Sequence, residues 1–257
     1  MCFHSLLTSE AACNALRVAG FECASDTLRI EKRDTRWAVH LPGWRLAWFA
    51  ASEPGLHQLE VERRVLRLLD ARCSFLAPRV LFESSDKAFD VRALVPGETD
   101  PFRLYEAVRR IPELATRIGA AIGNVLVEQH TRILASDVAR WLPTHSSWPL
   151  ARDQIFDRLP EVIDDAQLIA KITVVMEAYA CTNVADADRL LVHGDLGVHN
   201  IAYDLAAERV QGIFDYGEAH WHDRHLELRY LVFDYDDHSA RDTRSGQVVE
   251  GWSAPPA

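Results

Sequence analysis

Hydrophobic and polar residues alternate along several short runs in the first hundred positions. In residues 36–41, for example, the large apolar side chains of Trp37, Val39 and Leu41 alternate with smaller or more polar ones, as in a strand with one buried face. Between two of these runs, apolar residues recur at helical spacing instead, which predicts a helix. The predicted strands are Thr27–Glu31, Arg36–Leu41, Trp44–Ala50, Arg79–Glu83 and Ala88–Leu94, and the predicted helix is Pro54–Asp70.

The flanking segments predict further elements. Near the N-terminus, Ser9 is expected to cap a helix that stops before Gly20. Beyond residue 97 helical spacing dominates, and three short apolar runs follow it. The predicted helices are Pro101–Ile111, Pro112–Leu134, Leu159–Ala180 and Trp221–Val232, and the predicted strands are Leu190–Val192, Ile201–Tyr203 and Val210–Phe214. Residues 239–257 are polar with scattered Gly and Pro, so we expect them to lack fixed structure.

Composition narrows the class of protein. The chain has 257 residues, 48% hydrophobic and 26% charged, which is enough for one large or two modest domains. It contains no run of about 18 apolar residues, so no membrane span is expected. The net charge of −10 argues against nucleic acid as a partner, because phosphate-binding surfaces are basic, and it is compatible with a cationic one. Five scattered cysteines indicate reduced thiols and a cytoplasmic location.

Polar side chains that can bind a metal or take up a proton lie at the ends of the last three predicted strands. Asp195 follows the first of these strands in the sequence His193-Gly194-Asp195, Asn200 directly precedes the second, and Asp215 follows the third. A carboxylate that accepts a hydroxyl proton must stand beside the metal that neutralises a transferring phosphoryl group. Mg²⁺ prefers hard oxygen ligands of the Asp and Asn kind. The pattern therefore indicates metal-assisted phosphoryl transfer.

These segments resemble the catalytic and metal-binding loops of the aminoglycoside phosphotransferase family, the small-molecule relatives of protein kinases. The matching residues are His193, Gly194, Asp195, Asn200, Phe214, Asp215 and Tyr216. The resemblance implies an α+β, bilobal, protein-kinase-like fold. Residues 1–97 would form a nucleotide-binding lobe with a β-sheet and one main helix, and residues 98–238 a mostly helical lobe with the catalytic and substrate groups. Residues 95–98 would be the hinge, whereas it is the composition of residues 239–257 that indicates a disordered tail.

The resemblance also implies a role for each residue. ATP would donate its γ-phosphoryl group to a hydroxyl of a small molecule, with Mg²⁺ as cofactor. Asp195 would accept or orient the hydroxyl proton, and His193 would support the geometry of the loop. Asn200 and Asp215 would hold Mg²⁺ and, with it, the nucleotide.

The usual phosphate-binding groups are missing from the first part of the chain. Protein kinases hold ATP phosphates with a Gly-rich loop and with a strand lysine that pairs with a helix glutamate. Glu62 fits that glutamate, but the position expected for the lysine is Trp48, and the loop between the first two predicted strands contains no glycine. Because arginine also binds phosphate, we expect Arg45 on the same strand to replace the lysine. Lys32 and Arg36 are the alternatives.

Two questions stay open at the level of sequence. The missing lysine and Gly-rich loop also suit a nucleotide-binding pseudokinase without transferase activity, although such a protein has no chemical need for Asp195, Asn200 and Asp215 together. The acceptor could be an aminoglycoside, an amino alcohol or a sugar. Family members normally continue through several more helices after this region, so we expect a reduced wall on the acceptor side.

Two further groups of residues near the C-terminus suggest other chemistry. The histidines His220, His222 and His225 are spaced closely enough for a metal, but no cysteine or fourth histidine lies nearby in the sequence and Asp223 already fits the family pattern, so a zinc site is not the favoured interpretation. A run of acidic residues could pair with a polyamine, although such runs are more often solvated surface. These are Glu218, Asp223, Glu227, Asp234, Asp236 and Asp237.

Overall fold

The computed structural model describes residues 6–144, 152–182 and 184–228. Their helices and strands follow the predicted α+β class. The helices are α1 (Ser9–Val18), α2 (Glu53–Arg72), α3 (Pro101–Arg110), α4 (Glu113–Arg132), α5 (Ala135–Val138), α6 (Arg152–Val162) and α7 (Ala166–Ala180). The strands are β1 (Arg29–Lys32), β2 (Arg36–Leu41), β3 (Arg45–Ala50), β4 (Arg79–Glu83), β5 (Phe89–Ala93), β6 (Arg189–Val192), β7 (Ile201–Asp204), β8 (Arg209–Ile213) and β9 (His220–Asp223). The tail predicted for residues 239–257 lies outside the described residues.

The first five strands form one antiparallel sheet in the order β1-β2-β3-β5-β4. β2 and β4 begin and end at the predicted residues, and the other three strands differ by one or two residues at their ends. The cap of α1 is Thr8 rather than Ser9, because the Thr8 hydroxyl accepts a hydrogen bond from the Ala11 N–H at 3.2 Å. The hydrophobic pattern therefore predicted this part of the fold almost residue by residue.

The two faces of the five-stranded sheet have different surroundings. Trp37 and Val39 on β2 and Phe49 on β3 belong to a hydrophobic core that also contains buried residues of α1. Because side chains alternate across a strand, the residues between them face the other way. Arg36 of β2 and Trp48 of β3 line a cleft on that second face. Odd-numbered residues of β2 and β3 thus face the core, and even-numbered residues face the cleft.

The helical part of the chain packs around α4. Leu114, Ile118 and Ile122 recur at helical spacing on one side of α4 and are buried, as expected for an amphipathic helix. They belong to a second core that includes Leu191 of β6 and Tyr216 after β8. This core therefore fixes the segments that carry the candidate site against α4.

The single helix predicted for Leu159–Ala180 is wrong, because the structure divides it into α6 and α7. The break comes at Asp165, whose carboxylate accepts hydrogen bonds from the N–H groups of Gln167 at 2.8 Å and Leu168 at 3.1 Å. An Asp side chain that caps a helix start competes with a continuous helix. The apolar spacing alone did not reveal this cap.

The helix predicted for Trp221–Val232 is also wrong over its first residues. Trp221 lies in β9, which pairs antiparallel with β6 so that Trp221 faces Leu191 across the ladder. The Trp221 N–H donates to the Pro143 carbonyl at 2.7 Å. The pairing with a distant strand overrides the local helical spacing. Residues 229–232 of this prediction lie outside the described residues.

The segment predicted as the hinge is tied to β7. The backbones of Glu98 and Tyr203 exchange two hydrogen bonds, of 2.7 and 2.8 Å. Gly97 has a φ of +132°, and a Cβ at this position would come within 2.9 Å of the Tyr203 carbonyl oxygen. This close approach requires glycine. The contact links the segment that follows the five-stranded sheet to β7.

Two further properties bear on the class of protein. Among the described residues, no helix combines the length and the apolar content that crossing a membrane requires. The cysteines in the described part of the chain are free thiols. They are Cys13, Cys23, Cys73 and Cys181.

Candidate active site

The loop between β6 and β7 brings Asp195 and Asn200 together. The Asn200 Nδ2 group donates to the Asp195 backbone carbonyl at 2.8 Å and to its Oδ2 at 3.1 Å. A turn of 3-10 helix over Val198–Asn200 makes this contact between residues five positions apart possible. His199, which the sequence argument did not single out, places its Nε2 atom 3.4 Å from Asp195 Oδ2. The Asp195 side chain remains 34% accessible, so a substrate hydroxyl can approach it.

Asp215 lies next to Asn200 because β7 and β8 pair antiparallel, with Ile201 opposite Ile213. The N–H of Phe214 donates to the Asn200 carbonyl at 3.0 Å. Asp215 itself has φ 66° and ψ 58°, a left-handed conformation that is uncommon outside glycine and concentrates at functional sites. The backbone therefore turns sharply at this carboxylate.

The side-chain oxygens of Asn200 and Asp215 suit Mg²⁺ as ligands. Because the Asn200 Nδ2 group donates to Asp195, its Oδ1 atom is the one that can ligate a metal. Together with the Asp215 carboxylate this offers hard oxygen ligands, the kind that Mg²⁺ binds while phosphate oxygens and water complete its octahedron. Both residues line the same cleft. The residues present therefore fit the expected metal.

The two carboxylates differ in their electrostatic surroundings. Partial burial on its own would raise the pKa of Asp195, but the hydrogen bond and charge of His199, together with His193 and Asn200, hold it below its ordinary value. For Asp215, poor hydration within the cleft raises the pKa, the negative charge of Glu62 raises it further, and Arg36 opposes both. Asp195 is thus ionised at neutral pH, while Asp215 gains from a bound cation.

A cleft of about 550 Å³ lies between the sheet and the β7–β8 hairpin. Apolar side chains, those of Leu46, Trp48 and Val95, and polar ones, those of Asn200 and Asp215, line it together. A small-molecule site typically combines apolar walls with a few convergent polar groups at this size. The cleft therefore suits a small ligand that has both apolar and polar parts.

A comparison with protein families decides the classification. The family model described as the phosphotransferase enzyme family, APH, matches residues 26–255, which is most of the chain. The chain belongs to this phosphotransferase family. The match confirms the resemblance inferred from the residues around Asp195 and Asp215.

Solved structures confirm the protein-kinase-like α+β fold of this phosphotransferase. A GDP complex of a mutant aminoglycoside 2'-phosphotransferase-IIIa is similar with a TM-score of 0.69 at 17% identity, over 94% of this chain and 83% of that one. The streptomycin–ATP complex of APH(2")-IIa gives 0.63 at 17% identity, over 88% and 78%. The macrolide 2'-phosphotransferase from Brachybacterium faecium gives 0.58 at 15% identity, over 95% and 84%. At these identities the similarity concerns the fold.

Glu62 of this phosphotransferase has two arginine partners. Its Oε2 atom lies 2.6 Å from Arg36 Nη1, and its Oε1 atom lies 2.6 Å from Arg92 Nη1. Burial would raise the pKa of Glu62, but the charges of Arg92 and Arg36 lower it below the ordinary value. Glu62 is therefore an ionised group buried between two cations. Arg92 was not considered from the sequence, where its place on β5 gave no signal.

The structure does not bring Arg45 to Glu62, contrary to our expectation. The Arg45 Nε group donates to the Pro42 carbonyl at 2.9 Å, and the guanidinium lies 5.7 Å from the centre of the Phe21 ring. The physical reason is strand alternation: Arg45 stands three residues before Trp48, so the two side chains point to opposite faces of the sheet. Counting this parity in the sequence would have excluded Arg45.

His193 is buried and joins both loops of the site. Its Nδ1 atom accepts a hydrogen bond from the Asp195 N–H at 3.2 Å, and its Nε2 atom lies 2.8 Å from the Phe214 carbonyl oxygen. Its own N–H donates to Glu227 Oε1 at 2.8 Å, which also accepts from Gln129 Nε2 at 3.0 Å. Glu227 is only 1% exposed, so it is not part of the solvated acidic surface that we expected.

The histidines after β8 have other partners than a metal. His220 Nδ1 lies 2.8 Å from the Glu218 carbonyl, and His225 Nδ1 lies 2.7 Å from Asp223 Oδ1. Within the part of the chain that the structure describes, no group of three or more His, Cys, Asp or Glu residues is placed to hold a metal ion. Residues 234–237 of the acidic run lie outside that part.

Proposed function

We propose that this protein transfers the γ-phosphoryl group of ATP to a hydroxyl of a small molecule. The observation that carries the proposal is that Asn200 and Asp215 line one cleft of a phosphotransferase fold, with the Asp195 carboxylate hydrogen-bonded to Asn200 at 3.1 Å. Membership of the family supports the reaction class. Similar structures contain ATP with streptomycin, or GDP, which supports a nucleotide donor and a small-molecule acceptor.

Asp195 is proposed as the residue that receives the proton. Because its pKa lies below the ordinary value, it is ionised at neutral pH and can accept a hydrogen bond from an acceptor hydroxyl. The hydroxyl oxygen forms a bond to the γ-phosphorus, the bond from that phosphorus to the β–γ bridging oxygen breaks, and ADP leaves with the bonding electrons. The hydroxyl proton passes to Asp195. His193 is a positioning residue that holds the Asp195 N–H.

Asn200 and Asp215 are proposed to hold Mg²⁺. When bound there, Mg²⁺ neutralises charge on the phosphate oxygens during transfer. Asn200 has a second function, since its Nδ2 group fixes the Asp195 carboxylate. The same amide would therefore hold the proton acceptor beside the metal.

The acceptor is proposed to carry a hydroxyl and, in one class of candidates, positive charge. The net charge of −10 favours cationic ligands through long-range attraction. Aminoglycosides, amino alcohols and sugars are the classes to test. We expect the protein to act in the cytoplasm, where ATP is present and the free thiols in the described residues stay reduced, without nucleic acid or membrane as partner.

A nucleotide-binding protein without transferase activity is the second candidate. The observation that favours it is Trp48 at the position where the phosphate-binding lysine is expected. The experiment that separates the two is ADP release from ATP and Mg²⁺ in the presence of a panel of aminoglycosides, amino alcohols, sugars and macrolides. Acceptor-stimulated ADP release that Asp195→Asn abolishes supports the transferase. Nucleotide binding without stimulation by any acceptor supports the second candidate.

A further inference from the structure

Among the residues that the structure describes, Arg36 is the cation whose contacts link the buried Glu62 to Asp215. Its Nη1 atom lies 2.6 Å from Glu62 Oε2, and its Nη2 atom lies 3.7 Å from Asp215 Oδ1. The second distance is too long for a hydrogen bond. Glu62 therefore orients the guanidinium on one side, while the opposite side points toward the Asp215 carboxylate.

We propose that Arg36 binds the nucleotide phosphates in place of the missing strand lysine, so that this function has moved from β3 to β2. This inference rests on the proposed function. Arginine presents several N–H donors in a planar fork that matches two phosphate oxygens. With Nη1 on Glu62 and Nη2 3.7 Å from Asp215 Oδ1, the guanidinium lies in the wall of the cleft, where it would meet the phosphates of a nucleotide bound beside Asp215. The ligand recognised is the di- or triphosphate of a nucleotide.

Trp48 has a part in this arrangement as a positioning residue. The Arg36 guanidinium carbon lies 4.4 Å from the centre of the Trp48 ring, a cation–π contact. The strand register places Trp48 opposite Ala38, two residues from Arg36 and on the same face of the sheet. The aromatic ring therefore supports the arginine from the strand position where a lysine was expected.

The other cations near the cleft are committed elsewhere. Arg92 is 2% exposed, and its donors contact Asp90 at 2.7 and 3.0 Å and Glu62 at 2.6 Å. Arg45 faces the opposite side of the sheet. The Lys32 ammonium lies 5.6 Å from the centre of the Trp37 ring, and Trp37 belongs to the core face. Arg33, which also lines the cleft, pairs with Glu31 at 2.8 Å. Arg92 thus balances the buried acids, and Arg36, itself only 6% exposed, is the arginine whose second nitrogen points toward Asp215.

The turn before β2 fixes the position of Arg36, the first residue of that strand. The Thr35 carbonyl accepts a hydrogen bond from the Ala51 N–H at 2.9 Å, and the Thr35 hydroxyl donates to Gln58 Oε1 at 2.8 Å. Gly55 of α2 packs directly against the Thr35 backbone, where a side chain would not fit. A turn held in this way replaces the mobile Gly-rich loop and presents Arg36 in a preorganised position.

The test compares phosphate-bearing and phosphate-free ligands on matched arginine variants. Calorimetric titration with ADP and with adenosine, and with GDP and guanosine as a second pair, is carried out on wild type, Arg36→Met and Arg45→Met. We expect Arg36→Met to weaken binding of the diphosphate about 10- to 100-fold and to leave nucleoside binding unchanged. Arg45→Met, which removes the same side chain from the other face of the sheet, is expected to match wild type for both ligands.

The outcomes separate this inference from the proposed function. If the diphosphate binds wild type, Arg36→Met and Arg45→Met equally well, Arg36 is not the phosphate-binding residue although the proposed function stands. If neither diphosphate binds wild type, the proposed function fails and the inference fails with it. Should Arg36→Met lose its folded circular dichroism spectrum, Arg36→Gln decides instead. That variant keeps N–H donors for Glu62 but removes the positive charge, so diphosphate affinity equal to wild type would overturn the proposal.

Discussion

Gly194 and Glu218 touch through their backbones across the candidate site. Gly194 has a φ of +87°, and there is no room for a Cβ between it and the Glu218 carbonyl. The contact holds the turn that carries Asp195 against the segment that follows Asp215. Glycine between His193 and Asp195 is therefore a packing requirement as well as a conformational one.

Replacing Gly194 with alanine is expected to destabilise the protein and lower its activity. The new methyl group would collide with the Glu218 backbone. In addition, the alanine would have to adopt a left-handed conformation, which costs about 1–3 kcal/mol on top of the collision. Thermal unfolding and ADP release measure the two effects. Gly123→Ala is the matched control, because Gly123 lies inside α4 with no atom near a Cβ. That variant is expected to raise stability by about 0.5–1 kcal/mol, and an equal effect of both substitutions would contradict the account.

Replacing His193 with alanine is expected to reduce turnover more than nucleotide binding. If Nδ1 accepts from the Asp195 N–H, the neutral ring carries its proton on Nε2 and donates it to the Phe214 carbonyl, so one tautomer satisfies both contacts. Without the ring the two loops that carry Asp195 and Asp215 are no longer held in fixed relative positions. A shift of about 1 Å in a catalytic group can lower the rate roughly a hundredfold. The measurement is kcat together with ADP affinity. The exposed His225→Ala provides the comparison, and a His193→Ala enzyme with normal kcat would refute the positioning role.

Replacing Glu62 with glutamine is expected to destabilise the fold by about 3 kcal/mol at neutral pH, because it leaves two buried arginines without their shared charge. The effect should depend on pH. Arg92 and Arg36 lower the pKa of Glu62 in the folded state, so its contribution is complete above its unfolded value of about 4.3 and is lost as the pH falls through the lower folded value. The difference in unfolding free energy between wild type and variant should therefore shrink only below about pH 4.

Glu60→Gln is the control for this measurement. Glu60 lies on the same helix, but its side chain is 39% accessible and pairs with Lys87, which is 54% accessible, at 3.5 Å. Such solvent-accessible ion pairs contribute about 0–1 kcal/mol. Chemical denaturation at several pH values gives the free energy of unfolding for each variant. Equal losses for Glu62→Gln and Glu60→Gln would show that the buried cluster does not stabilise the fold.

Replacing Glu227 is expected to separate hydrogen bonding from charge. One carboxylate oxygen accepts from both the His193 N–H and Gln129 Nε2. Glu227→Gln keeps an oxygen that can accept, so activity should remain near wild type, whereas Glu227→Ala leaves buried donors unpaired at about 1–3 kcal/mol each. Thermal unfolding and kcat of the two variants provide the test. A Glu227→Ala protein as stable as Glu227→Gln would exclude this role.

The sequence predicted the fold, and which residues lie together in the candidate site, where the signal is local. Alternation along β2 fixed its bounds, and the spacing from His193 to Asn200 indicated one loop with converging side chains. Such signals depend on residues that are neighbours in the chain, so they need no knowledge of long-range packing. The segment from β6 to Asp215 is of this kind.

The parts that the sequence could not predict depend on distant partners. Trp221 lies in a strand because it pairs with Leu191, and Glu227 is buried where it accepts hydrogen bonds from His193 and Gln129. Arg92 of β5 pairs with Glu62 of α2, a contact that no local sequence pattern indicates. The face of the sheet to which Arg45 points could have been predicted, because Arg45 lies an odd number of residues before Trp48 on β3. Our prediction considered only that the two residues share a strand.

We propose that the Asp195 carboxylate receives the proton while the γ-phosphoryl group passes to an acceptor hydroxyl. The most direct measurement follows a labelled γ-phosphoryl group from ATP into the acceptor that stimulates ADP release, with Mg²⁺ present, for wild type and Asp195→Asn. We predict label in the acceptor for wild type and a rate lower by about 10²–10⁴-fold for the variant, with ADP affinity unchanged. Equal rates of labelling by the two proteins, or label that appears only as inorganic phosphate with every acceptor, would contradict the claim.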